Sequence, residues 1–146
     1  MYKAILVGAV IGSLAVPALA SEGPTPALMY KNPSCSCCES YAAYLEQNGF
    51  KVEIKLTNNL AQISATMGVP DNLQGCHTVV IEGYLVEGFV PADIAHKMLA
   101  ERPAITGISL EGMPMGSPEM DGQKMEPFTV KAFTMMDKAP TIYAVE

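Results

Sequence analysis

Cys35, Cys37 and Cys38 fall within four residues, Cys35-Ser36-Cys37-Cys38, and the remaining cysteine, Cys76, is followed directly by His77. Cys35 and Cys38 form a C-x-x-C pair with Cys37 between them. A redox pair needs two thiols, so the third is a surplus soft donor. Crowded thiolates at a helix start bind a soft metal, exchange disulfides, or do both in turn. Copper(I) is soft and thiophilic, and two to four thiolates suit it, with thioether or imidazole as further ligands. Adjacent Cys37 and Cys38 are poorly placed to close around one ion, so bridging thiolates shared by more than one ion use them better. The usual structural zinc signature is two separated C-x-x-C pairs, which this chain lacks.

The competing enzyme reading is thiol–disulfide exchange, with Cys35 as nucleophile and Cys38 as resolving thiol. Against it, Cys37 and Cys76 would be reactive neighbours able to divert a mixed disulfide, and Ser34 stands where an aromatic residue usually precedes the first cysteine. A scaffold with two structural disulfides normally spreads its cysteines to close loops, whereas these are clustered. Four cysteines allow three fully paired connectivities, and spacing does not choose among them. His77 either ligates or supports a ligand beside Cys76, or bonds a nearby carbonyl. His96, far from the cysteines in sequence, reads as a surface or packed histidine.

Methionine supplies softer, weaker donors. Met29, Met67 and Met98 sit at apolar periodic positions and read as core, with Met135 and Met136 as further candidates for that role. Met113, Met115 and Met120 lie in a Gly/Pro-rich stretch with few apolar neighbours, so they stand as secondary copper(I) ligands. The carboxylates of Glu82, Glu87 and Asp93 read as a solvated face. The chain has no phosphate-cradling glycine loop, H-E-x-x-H or nucleophile–histidine–carboxylate arrangement, which removes hydrolase and nucleotide-binding readings.

The elements that must position these residues follow from periodicity. Ser21 to Pro26 is a polar lead, and Ala27 to Lys31 a short strand stopped by Asn32-Pro33-Ser34. Tyr41, Tyr44 and Leu45 carry helical spacing from Cys37 to Asn48, with Asn48-Gly49 as the stop. Phe50, Val52, Ile54 and Leu56 alternate as one face of a half-buried strand. Asn58 or Asn59 caps a second helix running to about Met67 and ended by Gly68. Thr78 to Glu82 and Tyr84 to Val90 form a hairpin, and Pro91 opens a third helix at its first position. The order β-α-β-α-β-β-α predicts an α/β, thioredoxin-like fold: a mixed central sheet flanked by helices. In such folds the C-x-x-C begins the first helix, beside the segment entering the third strand, which here is Cys76-His77. Helix-start amides there favour thiolate. Beyond Gly107 to Leu110 come the Met-rich loop and two more strands, Phe128 to Phe133 and Thr141 to Val145.

Residues 1–20 read as a signal peptide, with Lys3, an apolar run from Ala4 to Val16, and the small-x-small site Ala18-Leu19-Ala20. That run is too short for about 30 Å of hydrocarbon, and no further segment predicts a membrane span after cleavage. Residues 21–146 then make one domain in an oxidising compartment. The full chain carries a formal charge of −6 with nine basic residues, Lys3 among them. The mature chain is therefore one unit more negative. Scattered basic residues leave no footprint for nucleic acid.

The blocks Cys35-Ser36-Cys37-Cys38, Cys76-His77-Thr78, Gly83-Tyr84, Glu87-Gly88, Val90-Pro91-Ala92, 99–103 and 112–118 occur in an order that resembles the exported CopG-type copper-resistance proteins, a family with predicted metal binding. The similarity covers nearly all of the mature chain. It implies copper bound by the clustered cysteines, as a polynuclear thiolate site, in a bacterial periplasm, among other periplasmic copper-handling proteins. A copper redox role is the activity it suggests. Two departures stand out. Phe89 replaces the family's usual histidine in the E-G-H-V-P block, and Pro118-Glu119-Met120 replaces P-G-M.

Overall fold

β1 (Thr25–Lys31), α1 (Ser36–Gln47) and β2 (Phe50–Leu56) form a β-α-β start to the fold because Asn32-Pro33 stops the strand and Asn48-Gly49 stops the helix. β1 begins two residues earlier than periodicity suggests, so Thr25 and Pro26 leave the expected lead and pair with Phe50 and Lys51. The structure is a computed structural model and describes residues 23–135 and 139–146. The signal-peptide reading of residues 1–20 and any role of Met136 lie outside the described residues.

After α2 (Leu60–Met67), Gly68 takes the left-handed conformation that ends a helix, with φ 96°. A 3₁₀ turn (Asp71–Leu73), which periodicity does not predict, leads to β3 (His77–Ile81) and β4 (Tyr84–Gly88). Pro91 sits one position before α3 (Ala92–Glu101) rather than inside it, and Arg102 closes that helix ahead of Pro103. β5 (Gly107–Leu110), β6 (Thr129–Phe133) and β7 (Thr141–Val145) follow. No helix among the described residues is long and apolar enough to cross a membrane.

All seven strands join one sheet in the order β2-β1-β3-β4-β5-β6-β7. β1 and β2 run parallel, as do β4 and β5; the other neighbours are antiparallel. Its first four strands, β2-β1-β3-β4, have the arrangement expected from the β-α-β-α-β-β-α order, and β5 to β7 extend the sheet. The period of two in β3 sorts its residues by face. Val79 and Ile81 pack with Tyr41, Ala42 and Leu45 of α1 and with Ile94, Ala95 and Met98 of α3. Val80 lies against a smaller cluster, Val69, Leu73, Leu85 and Phe133, on the α2 side. Met29 and Met98 are fully buried in the larger core as expected, whereas Met135 is 65% exposed.

Candidate metal centre

The β1–β3 ladder brings the two cysteine-bearing segments together. Lys31, the last residue of β1, pairs with His77, the first of β3, and the strands are antiparallel. The chain leaving β1 toward Cys35 and the chain approaching β3 through Cys76 therefore emerge at the same end of the sheet. Cys35 is the N-cap of α1 and its amide donates to the Asn32 carbonyl at 3.1 Å. Cys37 and Cys38 follow in the first turn. Three residues on, helical spacing turns Cys38 inward, where it is fully buried, while Cys35, Cys37 and Cys76 are half-buried.

The four sulfurs lie within 4.8 Å of one another. Cys35 and Cys38 are joined as a disulfide, and Cys37 and Cys76 are free thiols. Cys76 Sγ lies 3.2 Å from Cys38 Sγ, and Cys37 Sγ lies 3.4 Å from Cys35 Sγ. A disulfide sulfur carries no hydrogen, so in each contact the free thiol is the partner with a proton to give. The thiolate-favouring effect expected at the helix start does not extend to Cys76. Burial and the neighbouring Cys37 push its thiol up to about 11, because Cys76 belongs to the β3 approach and not to α1.

His77 is fully buried and packs in a three-ring cluster with Tyr41, at 5.0 Å between ring centres, and Phe89, at 5.6 Å. Its Nε2 lies 3.1 Å from the Gly88 carbonyl, which can only accept, so Nε2 is assigned the hydrogen. That leaves the Nδ1 lone pair on the side of Cys76 Sγ, 3.9 Å away. One nitrogen thus satisfies a carbonyl, as one sequence reading of this histidine expected, and the other faces the sulfur cluster. Burial holds the imidazole down to about 4, so it is neutral at pH 7, the form that can offer a lone pair. Gly88 makes the arrangement possible. It has φ 70°, and a Cβ there would lie 2.1 Å from the Leu110 carbonyl oxygen. Phe89, in place of the family's histidine, is a fully buried ring against His77 and Tyr41.

Two charged residues near the site were not legible as buried. Lys31 follows Ala27 and Met29 on the core-facing side of β1 and is fully buried. Its ammonium pairs with Glu39 of α1 at 3.1 Å and donates to the Asn32 carbonyl at 3.2 Å, tying the first turns of α1 to the end of β1. Glu87, expected on a solvated face with Glu82 and Asp93, is fully buried, while those two are exposed. The strand period gives the reason: Leu85 and Glu87 share the face covered by the 3₁₀ turn. Glu87 stands between Thr78 and Ser109 in register, and the Gly75 amide donates to its Oε2 at 3.2 Å. Among the described residues, its Oε1 and the Ser109 hydroxyl have no partner. Burial raises the carboxyl to about 7, with Thr78 and Gly75 pulling part of the way back.

The candidate methionine ligands separate. Met113 lines a cavity of about 230 Å³ together with Cys76, Phe89 and Glu111. Met115 lines a neighbouring hollow with Met125, and Met120 packs partly buried against the larger core. His96 is exposed, with one face on Phe50 at 4.5 Å and its Nε2 2.7 Å from the Asn48 carbonyl, a surface histidine as one of its readings expected.

An α/β protein whose sheet end gathers four cysteine sulfurs and a neutral buried histidine has the donors that could hold a soft metal ion. The sequence profile of a family described as "Protein of unknown function, DUF411" matches residues 73–120. Two solved structures of copper resistance protein CopG, Form 1 and Form 2, superpose with a TM-score of 0.75 at 34% identity, covering 84% of this chain and 98% of theirs. Comparison with curated proteins found no match. The chain belongs to the CopG family of copper resistance proteins.

Proposed function

We propose that the protein, as one exported domain in the periplasm, binds copper(I) in a multi-cysteine, polynuclear thiolate site that serves copper resistance or homeostasis. The observation that carries this reading is the convergence of Cys35, Cys37, Cys38 and Cys76 within 4.8 Å. A soft ion matches four sulfur donors, and so compact a set favours thiolates that bridge between ions. The name of the solved relatives, copper resistance protein, supports the choice of metal.

Cys35, Cys37, Cys38 and Cys76 would hold the metal, with the Nδ1 of His77 beside Cys76 and the thioether of Met113 facing the same cavity. Met115 and Met120 would serve as transfer ligands. Each thiol must lose its proton, and the Cys35–Cys38 disulfide must take up two electrons, before all four sulfurs can act. The same disulfide favours a second reading, a thiol–disulfide oxidoreductase using Cys35 and Cys38. Both functions fit one set of sulfurs, since a dithiolate holding copper and a disulfide are alternative states.

Native mass spectrometry decides between them. Reduced protein is titrated anaerobically with copper(I) in the presence of a competing chelator. Tight uptake of more than one ion, lost in Cys37→Ala, is the expected result. Failure to retain copper under the chelator would sink the copper reading and leave disulfide chemistry.

A further inference from the structure

The Cys35–Cys38 disulfide is flanked by a free thiol at each end, Cys37 beside Cys35 and Cys76 beside Cys38. We propose that these sulfurs form an intramolecular disulfide relay in which Cys76 attacks Cys38, so that the oxidised, metal-free protein interconverts between Cys35–Cys38 and Cys38–Cys76 isomers. The inference goes beyond copper binding, requires no metal, and stands or falls separately from it.

The step is an exchange with no net oxidation. The Cys76 thiolate forms a bond to Cys38 Sγ, the Cys35–Cys38 bond breaks, and Cys35 leaves as thiolate. The proton lost from Cys76 is taken up by Cys35. No outside oxidant or reductant enters. At 3.2 Å the attacking and attacked sulfurs are already in contact, and side-chain rotation must bring Cys76 into line with the Cys35–Cys38 bond before exchange. Cys38 is fully buried, which shields it from bulky external thiols and leaves Cys76 as its built-in partner. Exchange moves the free-thiol pair from Cys37 and Cys76 to Cys35 and Cys37, two of the three cysteines at the start of α1. Either isomer therefore keeps two soft donors while one disulfide is stored.

Disulfide mapping on the whole protein tests the relay. Metal-free protein, oxidised mildly and held folded at fixed pH, is sampled from minutes to hours, the range of disulfide reshuffling. Each sample is quenched in acid, its free thiols are alkylated, and it is digested at low pH and sequenced by mass spectrometry. The expected result is a peptide cross-linked through Cys38 and Cys76 in roughly a tenth or more of the oxidised population, together with alkylated Cys35. In Cys76→Ser both signals should vanish. In Cys35→Ser, mild oxidation should join Cys38 to Cys76 directly. Wild-type protein that shows only the Cys35–Cys38 cross-link at every time overturns the proposal, and so does a folded Cys35→Ser variant that leaves Cys38 and Cys76 both alkylated.

Discussion

Glu87 and His77 are ionisable side chains, both fully buried near the cysteines, and they respond to pH with opposite sign. The folded-state pKa of Glu87, about 7, lies above its ordinary 4.5. Its carboxylate is therefore unfavourable in the folded state, and the penalty grows as pH rises from 4.5 to 7, levelling at about 2–3 kcal/mol. His77 is depressed from 6.5 to about 4, so the folded state loses stability as pH falls through that window. Comparing wild type with Glu87→Gln cancels the histidine. In urea unfolding of metal-free protein, Glu87→Gln should be more stable by about 1–3 kcal/mol at pH 8, with the gap shrinking toward pH 4.5. A gap that stays constant across that range rules out a buried, titrating carboxyl. The residue types at the cysteine site were plain from spacing. The burial of Lys31 and Glu87 was not, because a charged side chain reads as solvated until both faces of its strand are seen to be covered.

Among the elements, β2 departs most from its periodicity. Phe50, Val52, Ile54 and Leu56 alternate as a buried face should, and Phe50 is 2% exposed, but Ile54 is 40% and Leu56 62% exposed. Among the described residues β2 is a terminal strand with β1 as its only neighbour in the sheet, so only its start finds cover against the core. Alternation reports which side chains share a face, and neighbouring elements decide whether that face is buried. Phe50→Ala should cost about 3–4 kcal/mol in urea unfolding, and Leu56→Thr should fall within about 0.5 kcal/mol of wild type. Equal costs would contradict the exposed end of this strand. The first and second helices, by contrast, ended where their glycines and asparagines indicated, since stop signals act within one turn of the chain.

At the scale of the whole molecule, the proposed copper site would make metal capacity depend on oxidation state. The Cys35–Cys38 disulfide removes two of four donors, leaving Cys37 and Cys76. Copper(I) uptake under a fixed competing chelator should therefore be about tenfold or more weaker for oxidised than for reduced protein. Reduction should restore it. Equal uptake by both forms would mean that the disulfide sulfurs are not part of the site. The two pairs also differ in what they tie together. Cys35 and Cys38 are three residues apart within one turn, whereas a Cys38–Cys76 bond would join α1 to the β3 approach across 38 residues. On loop-closure entropy the longer link should stabilise against unfolding by about 2 kcal/mol more.

Sequence by itself determined the cysteine and histidine types of the candidate site, the element order and the place of the C-x-C-C segment at a helix start. Those depend on residue type and on periodicities repeated within a few residues. Tertiary structure alone decided that Cys76 meets the other three sulfurs through the Lys31–His77 pairing, which two of four cysteines are joined, and which nitrogen of His77 faces them. Each of these depends on contacts between distant parts of the chain. Such contacts are fixed by ladder register and core packing, which no local pattern records.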